Sequence, residues 1–200
     1  MAYSDFTVGK VKQAFGIQTN EGVAFFPEIS PVAPTSTLLE VLSENLPLAV
    51  ALPSEKAKSE LLISPILVEV RKYLKRQISL FSGQEFTVNP EVGLSGVCDF
   101  LISRSPEQLE VESPVIVLVE AKKADINSGM GQCMAEMVAA QQFNQQAGEE
   151  SFPIYGCVSN GMLWRFLKLE QKQITVDFKD YSLEPISELL GKLVWMCRGE

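Results

Sequence analysis

Residues 115–122 run Val115, Ile116, Val117, Leu118, Val119, Glu120, Ala121, Lys122: an aliphatic run, then a carboxylate and an ammonium two positions apart. An apolar run of this length reads as a buried strand. Side chains on a strand alternate between faces, so Glu120 and Lys122 project side by side at its end. Charges placed there are costly unless they are paired, hydrated or bound to a metal. A chain tolerates such a pair more readily at a site than in a plain core.

Composition narrows the chemistry open to that site. The 200 residues suffice for one substantial core, and 46% hydrophobic with 21% charged residues is ordinary for a globular chain. No apolar run approaches the roughly 20 residues that a membrane helix needs, so no membrane partner is expected. The start, Met1, Ala2, Tyr3, Ser4, Asp5, lacks the basic and apolar regions of a signal peptide. Cys98, Cys133, Cys157 and Cys197 show no CxxC spacing. They read as buried free thiols in a reducing cytoplasm, rather than disulfides or zinc ligands. There is no histidine, which excludes Ser-His-Asp and Cys-His catalysis within this chain. Carboxylates and lysine remain. The net charge of -8 is opposite to that of a general phosphate-binding surface, so DNA would be held weakly without help.

The pattern along the chain predicts an α/β fold with a mixed central β-sheet flanked by helices. A short helix is expected over residues 7–15, then turns and extended pieces to Pro34. Thr35 or Ser36 should cap a helix to about residue 46, and Ser54 a longer one to about residue 77 that Pro65 kinks or splits near Ile63. Extended segments follow at 85–89, 96–103 and 114–122. Asp125 or Asn127 should cap a helix over 128–146, whose Met130, Met134 and Met137 read as core. Asn160-Gly161 joins two apolar runs, 152–159 and 162–169, as a hairpin of type I′. A strand at 174–178 and a helix opened by Glu184-Pro185 close the pattern. Residues 1–53 read as a helical or irregular extension packed on a unit spanning 54–200.

Asp99 sits mid-strand, on the face of Val97 and Leu101 by regular alternation. A hairpin-like return from Ser103 to Pro114 would bring it beside Glu120 and Lys122, since adjacent strands lie about 4.8 Å apart. Two carboxylates so placed can share Mg²⁺ or Mn²⁺, which would acidify a bound water. Lys122 would hold or deprotonate that water, with partial burial and the metal lowering its pKa and the carboxylates opposing.

The stretch from Gly96 through Asp99 to Ile102, with Val117 to Lys123, resembles the PD-(D/E)xK nuclease superfamily. It is most similar to the nuclease domains of type I restriction enzyme R subunits and their RecB-like solitary relatives. Ser54 to Leu67 is similar to the first core helix of that group, which often supplies an acidic residue: Glu55 in the motif register, with Glu60 and Glu69 as alternatives. Gln132 falls where the RecB-like branch carries a site glutamine. Residues 159–164, ending in Trp164, look like the group's Asn-Gly hairpin. The residue before Asp99 is Cys98 rather than proline.

The resemblance implies a restriction-endonuclease-like core and metal-dependent cleavage of DNA, in restriction, defence or repair. Asp99, Glu120 and the Ala121 carbonyl would bind the metal, Lys122 would position water, and Gln132 and Glu55 would support the site. It also implies an alternative, since the family holds members that bind or assemble without cleaving, here as a homodimer. No helicase motif is present, so a motor would be a separate subunit. Plainer roles stand beside these: a surface ion pair for Glu120 and Lys122, a helix-face polar residue for Gln132, hairpin packing for Trp164. Glu136 and Lys123 are lesser candidates, and Arg71, Lys72, Lys75 and Arg76 form the one clustered basic run.

Overall fold

The computed structural model describes residues 1–149 and 152–199; residues 150, 151 and 200, which the expected 54–200 unit spans, lie outside them. Its centre is a mixed, mostly antiparallel sheet flanked by helices, which is the expected α/β class. In chain order the strands are β1 (Gln18–Glu21), β2 (Ser79–Glu85), β3 (Val97–Ser103), β4 (Val115–Ala121), β5 (Ile154–Ser159), β6 (Leu163–Glu170), β7 (Gln173–Val176) and β8 (Tyr181–Ser182). They are ordered β1-β7-β6-β5-β4-β3-β2, with β8 beside β6. The helices are α1 (Val8–Phe15), α2 (Ser36–Ala51), α3 (Glu55–Lys58), α4 (Ser64–Tyr73), α5 (Met130–Gln146) and α6 (Ile186–Arg198).

β4 is the strand announced by the apolar run, and all seven of its residues are buried. Val117, Val119 and Ala121 join a core with α2, α4 and α6, while Leu118 joins a second core with α1 and α5 on the other face. β4 and β5 run parallel, and α5 is the crossover that parallel strands require. Both ends of α5 hold β4. At one end the Asn144 side chain accepts from the Val115 N–H (2.8 Å) and donates to the Val115 carbonyl (2.7 Å). At the other, Gly129 admits the stem of Lys122: a Cβ there would lie 2.7 Å from Val158 Cγ1 and 3.0 Å from Lys122 Cε.

The caps expected at Thr35 and Ser54 form, each accepting a first-turn N–H, and Thr7 caps α1 in the same way; Asp125 caps a 3-10 turn, Ile126–Gly129, ahead of α5 rather than α5 itself. Pro65 disturbs its helix as expected: α3 and α4 are joined by a π-helical turn, Ser59–Ile63. Proline cannot donate to the carbonyl four residues back. That carbonyl, on Leu61, accepts instead from Asn45 Nδ2 at 2.9 Å.

Other expectations need correction. α2 continues through Pro47 to Ala51, where Ala49 is fully buried and its carbonyl accepts from Lys58 Nζ. Tertiary contact there outweighs the lost backbone bond. The helix expected to residue 77 stops at Tyr73, beyond which Lys75 and Arg76 adopt positive φ. The strand expected at 85–89 is β2, which precedes it, and β1 lies in a region expected to hold turns and extended pieces, with no strand placed there. Both are sheet edges with polar residues, and an edge needs less apolar sequence than a central strand. β1 pairs with β7, so residues before 54 contribute a strand to the sheet as well as helices.

The 160–162 connection is a hairpin but not of type I′, which needs positive φ at both central residues. Gly161 has φ +82° and Asn160 is not in that region. The Asn160 side chain shapes the loop instead, accepting from the N–H groups of Met162 (3.0 Å) and Leu163 (2.9 Å).

Candidate functional site

β3 and β4 pair antiparallel with Phe100 opposite Val119 and Leu101 opposite Leu118. One more step in this register sets Asp99 opposite Glu120. The pleat of β3 breaks at Asp99, because Cys98 and Phe100 pack in cores on opposite faces of the sheet. This corrects the regular alternation expected of Asp99. Gly83, with φ +64°, stands between the pairs Ser82–Phe100 and Gln84–Cys98, across from Asp99. The Asp99 carboxylate turns along the strand end, and Oδ2 accepts from the Ala121 N–H at 2.8 Å.

Glu120 faces α5 and is 1% exposed. Lys122 Nζ lies 2.5 Å from Glu120 Oε1 and 3.6 Å from Glu55 Oε1. Glu55 opens α3, directly after the Ser54 cap. Of the three helix carboxylates considered, Glu55 is the one in contact with Lys122. Glu60 pairs with Lys56 at 2.9 Å on an exposed face, and Glu69 accepts from the Thr35 N–H at 2.7 Å at the start of α2. Glu55, Lys56, Ser59, Glu60, Asp99 and Ala121 line a cavity of about 230 Å³, whose remaining wall is Ser82 and Gly83 of β2.

Gln132, half-buried on α5, reaches the cluster through Glu136: its Nε2 donates to Glu136 Oε1 at 3.1 Å. Glu136 is fully buried. The second oxygens of both Glu120 and Glu136 are buried without a hydrogen-bond partner.

The hairpin fixes the chain that follows Lys122. The Lys122 N–H donates to Ser159 O (2.7 Å) and Asn160 Nδ2 to Ala124 O (2.9 Å). Arg165 donates to Asp180 through two nitrogens and to Asn127 Oδ1. Sequence reading missed Arg165 and Asp180, whose separation by 15 positions carries no local signal.

Burial, opposed by the Ala121 N–H and by Lys122, leaves Asp99 above the usual carboxylate range. Burial and then the Asp99 charge push Glu120 up to about 8, against the pull of Lys122. Glu136 is pushed well above its ordinary value by burial and by Glu120. For Lys122, burial favours the neutral amine, but Glu120, Glu55 and Asp99 together outweigh it and the pKa rises. Without a metal to oppose them, the carboxylates keep Lys122 an ammonium.

The site brings together Asp99, Glu120, Ala121, Lys122 and Glu55, with Gln132 one residue removed. Lys123 is exposed beyond the strand end. Trp164 is fully buried, donating to Gly161 O at 3.3 Å, and is a packing residue. Met130, Met134 and Met137 are buried in the α5 core, and all four cysteines are buried and free. Arg71 lies 16 residues beyond Glu55, roughly 24 Å along the helical rod. There it donates to Ile78 O, at the opposite end from the site.

Asp99, Glu120 and the Ala121 carbonyl offer an all-oxygen donor set. Among the described residues no group of three or more Asp, Glu, Cys or His side chains is gathered as a metal cage. Among them, too, no helix is long and apolar enough to cross a membrane. No family model and no curated protein matches this chain.

Proposed function

We propose that this chain is a divalent-metal-dependent nuclease that hydrolyses phosphodiester bonds in DNA, of the PD-(D/E)xK type its motifs resemble. The observation that carries the reading is the meeting of Asp99, Glu120, Lys122 and Glu55 beside one cavity, at the end of two buried strands. With about 30 Å³ per water, that cavity has room for a phosphate group and several waters. Mg²⁺ suits one or two carboxylates, with waters and phosphate oxygens completing its shell. Glu120 Oε2, buried without a hydrogen-bond partner next to Asp99 and Ala121 of the cavity wall, is the atom it would offer. Mg²⁺ or Mn²⁺ bound there would acidify a water and offset charge on the phosphoryl group.

The chain's own residues have separable roles. Asp99 commits Oδ2 to the Ala121 N–H, which fixes the Ala121 peptide at the cavity. Lys122, held charged between Glu120 and Glu55, orients the attacking water or a phosphate oxygen by donating to it. Gln132 supports the cluster by holding Glu136.

The test is incubation of the purified protein with supercoiled plasmid and with single-stranded DNA in millimolar Mn²⁺. Nicking is expected, and Lys122→Ala abolishes it while leaving the circular dichroism spectrum unchanged. Cleavage that survives this substitution defeats the reading.

A second reading, a binding or assembly module that does not cleave, draws on the distribution of charge. The cavity is walled by Glu55 and Glu60, and the clustered basic run sits at the other end of the α3–α4 rod. A homodimer or a separate helicase subunit is a partner under either reading.

A further inference from the structure

The end of the molecule away from the proposed site holds another cavity, of about 300 Å³. Its walls are the 28–32 segment, the end of α4 and the second half of α6. The segment lies tight on α6: the Val32 N–H donates to Ser187 O at 2.9 Å, and a Cβ on Gly191 would come within 2.7 Å of Ser30 O. Trp195 lines the cavity, its ring fixed by edge contacts with Phe26 and Tyr155 at centroid distances of 5.5 and 5.7 Å. Tyr73, the last residue of α4, also lines it and is 45% exposed, with the Arg198 guanidinium carbon 5.7 Å from its ring centre. Among the described residues of the lining, Glu28 alone carries a carboxylate. The helix end that supplies Tyr73 also carries Lys72, Lys75 and Arg76, all exposed. Among the described residues no carboxylate pairs with these three, in a chain whose net charge is -8. Lys75 and Arg76 have φ of 55° and 59°. Helices commonly close through this left-handed region with glycine, because a side chain is strained there. Arg71 and Lys72 in the last turn of α4 already complement the helix dipole, so the dipole does not call for the two strained cations. Such strain persists where the side chains it displays are used.

We infer that this cavity takes an unpaired nucleotide, its base stacked on Tyr73 and Trp195 and its phosphate held by Lys72, Lys75 and Arg76. Aromatic rings beside a row of cations bind single-stranded nucleic acid in this way, since every base has a π face and every phosphate a charge. Glu28 accepts from the exocyclic amine that cytosine and adenine carry and thymine lacks. The faces of a base inside a duplex are covered by its neighbours, so duplex DNA meets the cations alone. The nucleotide comes either from a strand or free from solution. The cavity needs no metal and lies at the other end of the α3–α4 rod from Glu55, so the inference goes beyond the proposed reaction and holds whether or not the chain cleaves.

The experiment is fluorescence anisotropy of a short labelled oligodeoxycytidine with the full chain, in chelator so that a metal site contributes nothing. The wild type binds the single strand, and the matching duplex binds more weakly. Tyr73→Ala, at an exposed position, weakens single-strand binding about tenfold. The double variant Lys75→Gly, Arg76→Gly weakens it too and reduces the slope of log affinity against log salt by about 1.4, the share of two phosphate contacts. The same double variant melts at a higher temperature than the wild type, because the left-handed strain is gone. A merely structural role for the two cations predicts the reverse: a lower melting temperature and an unchanged salt slope, and that result overturns the inference. Displacement of the probe by deoxycytidine monophosphate supports the site with a free nucleotide as its occupant, and failure to displace it supports the site with a strand. Inorganic phosphate that displaces the probe as well as the nucleotide does overturns it, since the base then plays no part. Duplex and single strand bound equally, with Tyr73→Ala unchanged, overturn it for the same reason, as does a wild type that binds no single strand. Nicking in Mn²⁺ is read separately, so this inference and the proposed function can each fail alone.

Discussion

Single residues at the site are held in states that their types alone do not dictate. Glu120 is the clearest case, a carboxyl pushed up to about 8 by burial and by its neighbour Asp99. A folded-state value above the ordinary 4.5 means that the native fold prefers the protonated form. The associated stability is present in full below about pH 4.5 and is lost as pH rises toward about 8. One such group changes stability by at most about 1.4 kcal/mol per pH unit. Chelator-treated wild type is therefore expected to melt at progressively lower temperature from pH 5 to pH 8. Glu120→Gln, which cannot ionise, should show a shallower fall. Parallel melting curves over that range, followed by circular dichroism, would show that the fold does not hold Glu120 neutral. Asp99, Glu120 and Lys122 were legible as residues because each sits at a fixed step along an apolar strand. The surroundings of Lys122 were legible in part: Glu120, two positions away, is the largest charge acting on it, while Glu55 comes from a helix 67 positions earlier and adds to it.

At the scale of elements, the break ahead of α4 carries more meaning than a kink. The chain's own proline frees the Leu61 carbonyl, and Asn45 of α2 takes it up, so the π turn is built jointly by two helices. The turn lies directly after α3, the element that offers Glu55 to Lys122. Asn45→Ala removes this bond between helices and is expected to cost about 1 kcal/mol in urea unfolding. Asn45→Asp, which has no N–H to donate, should cost no less; a neutral result for both would mean that water serves the carbonyl equally well. Pro65 announced this break in the sequence, whereas the rescue by Asn45 is a contact between helices and has no local signature. The same division holds elsewhere. Caps at Thr35 and Ser54 are local chemistry and could be read directly. β1 and β2 are polar strands at the sheet edges, defined by the neighbours they pair with, and periodicity does not reveal them. The pleat break at Asp99 belongs to this second group too, since Gly83 on a different strand stands across from it.

Taken as a whole, the molecule concentrates acid at the end of its central strands while carrying a net charge of -8. A divalent ion that binds the native site and not the unfolded chain raises apparent stability by mass action, by about 2.7 kcal/mol at a hundredfold excess over its dissociation constant. Millimolar Mg²⁺ or Mn²⁺ should raise the melting temperature of the wild type by several degrees, and that of Asp99→Ala by much less. Equal melting with and without metal in both proteins would favour the binding-module reading.

The double hold of α5 on β4 has a consequence of its own. With Asn144 clasping Val115 at one end and Gly129 seated against Lys122 at the other, strand and helix form a single frame. Glu120 rides on one rail of that frame, and Gln132 and Glu136 on the other. A ligand arriving at the cavity meets side chains already set at fixed spacing, and adapts to them by changing its own hydration rather than the path of the backbone.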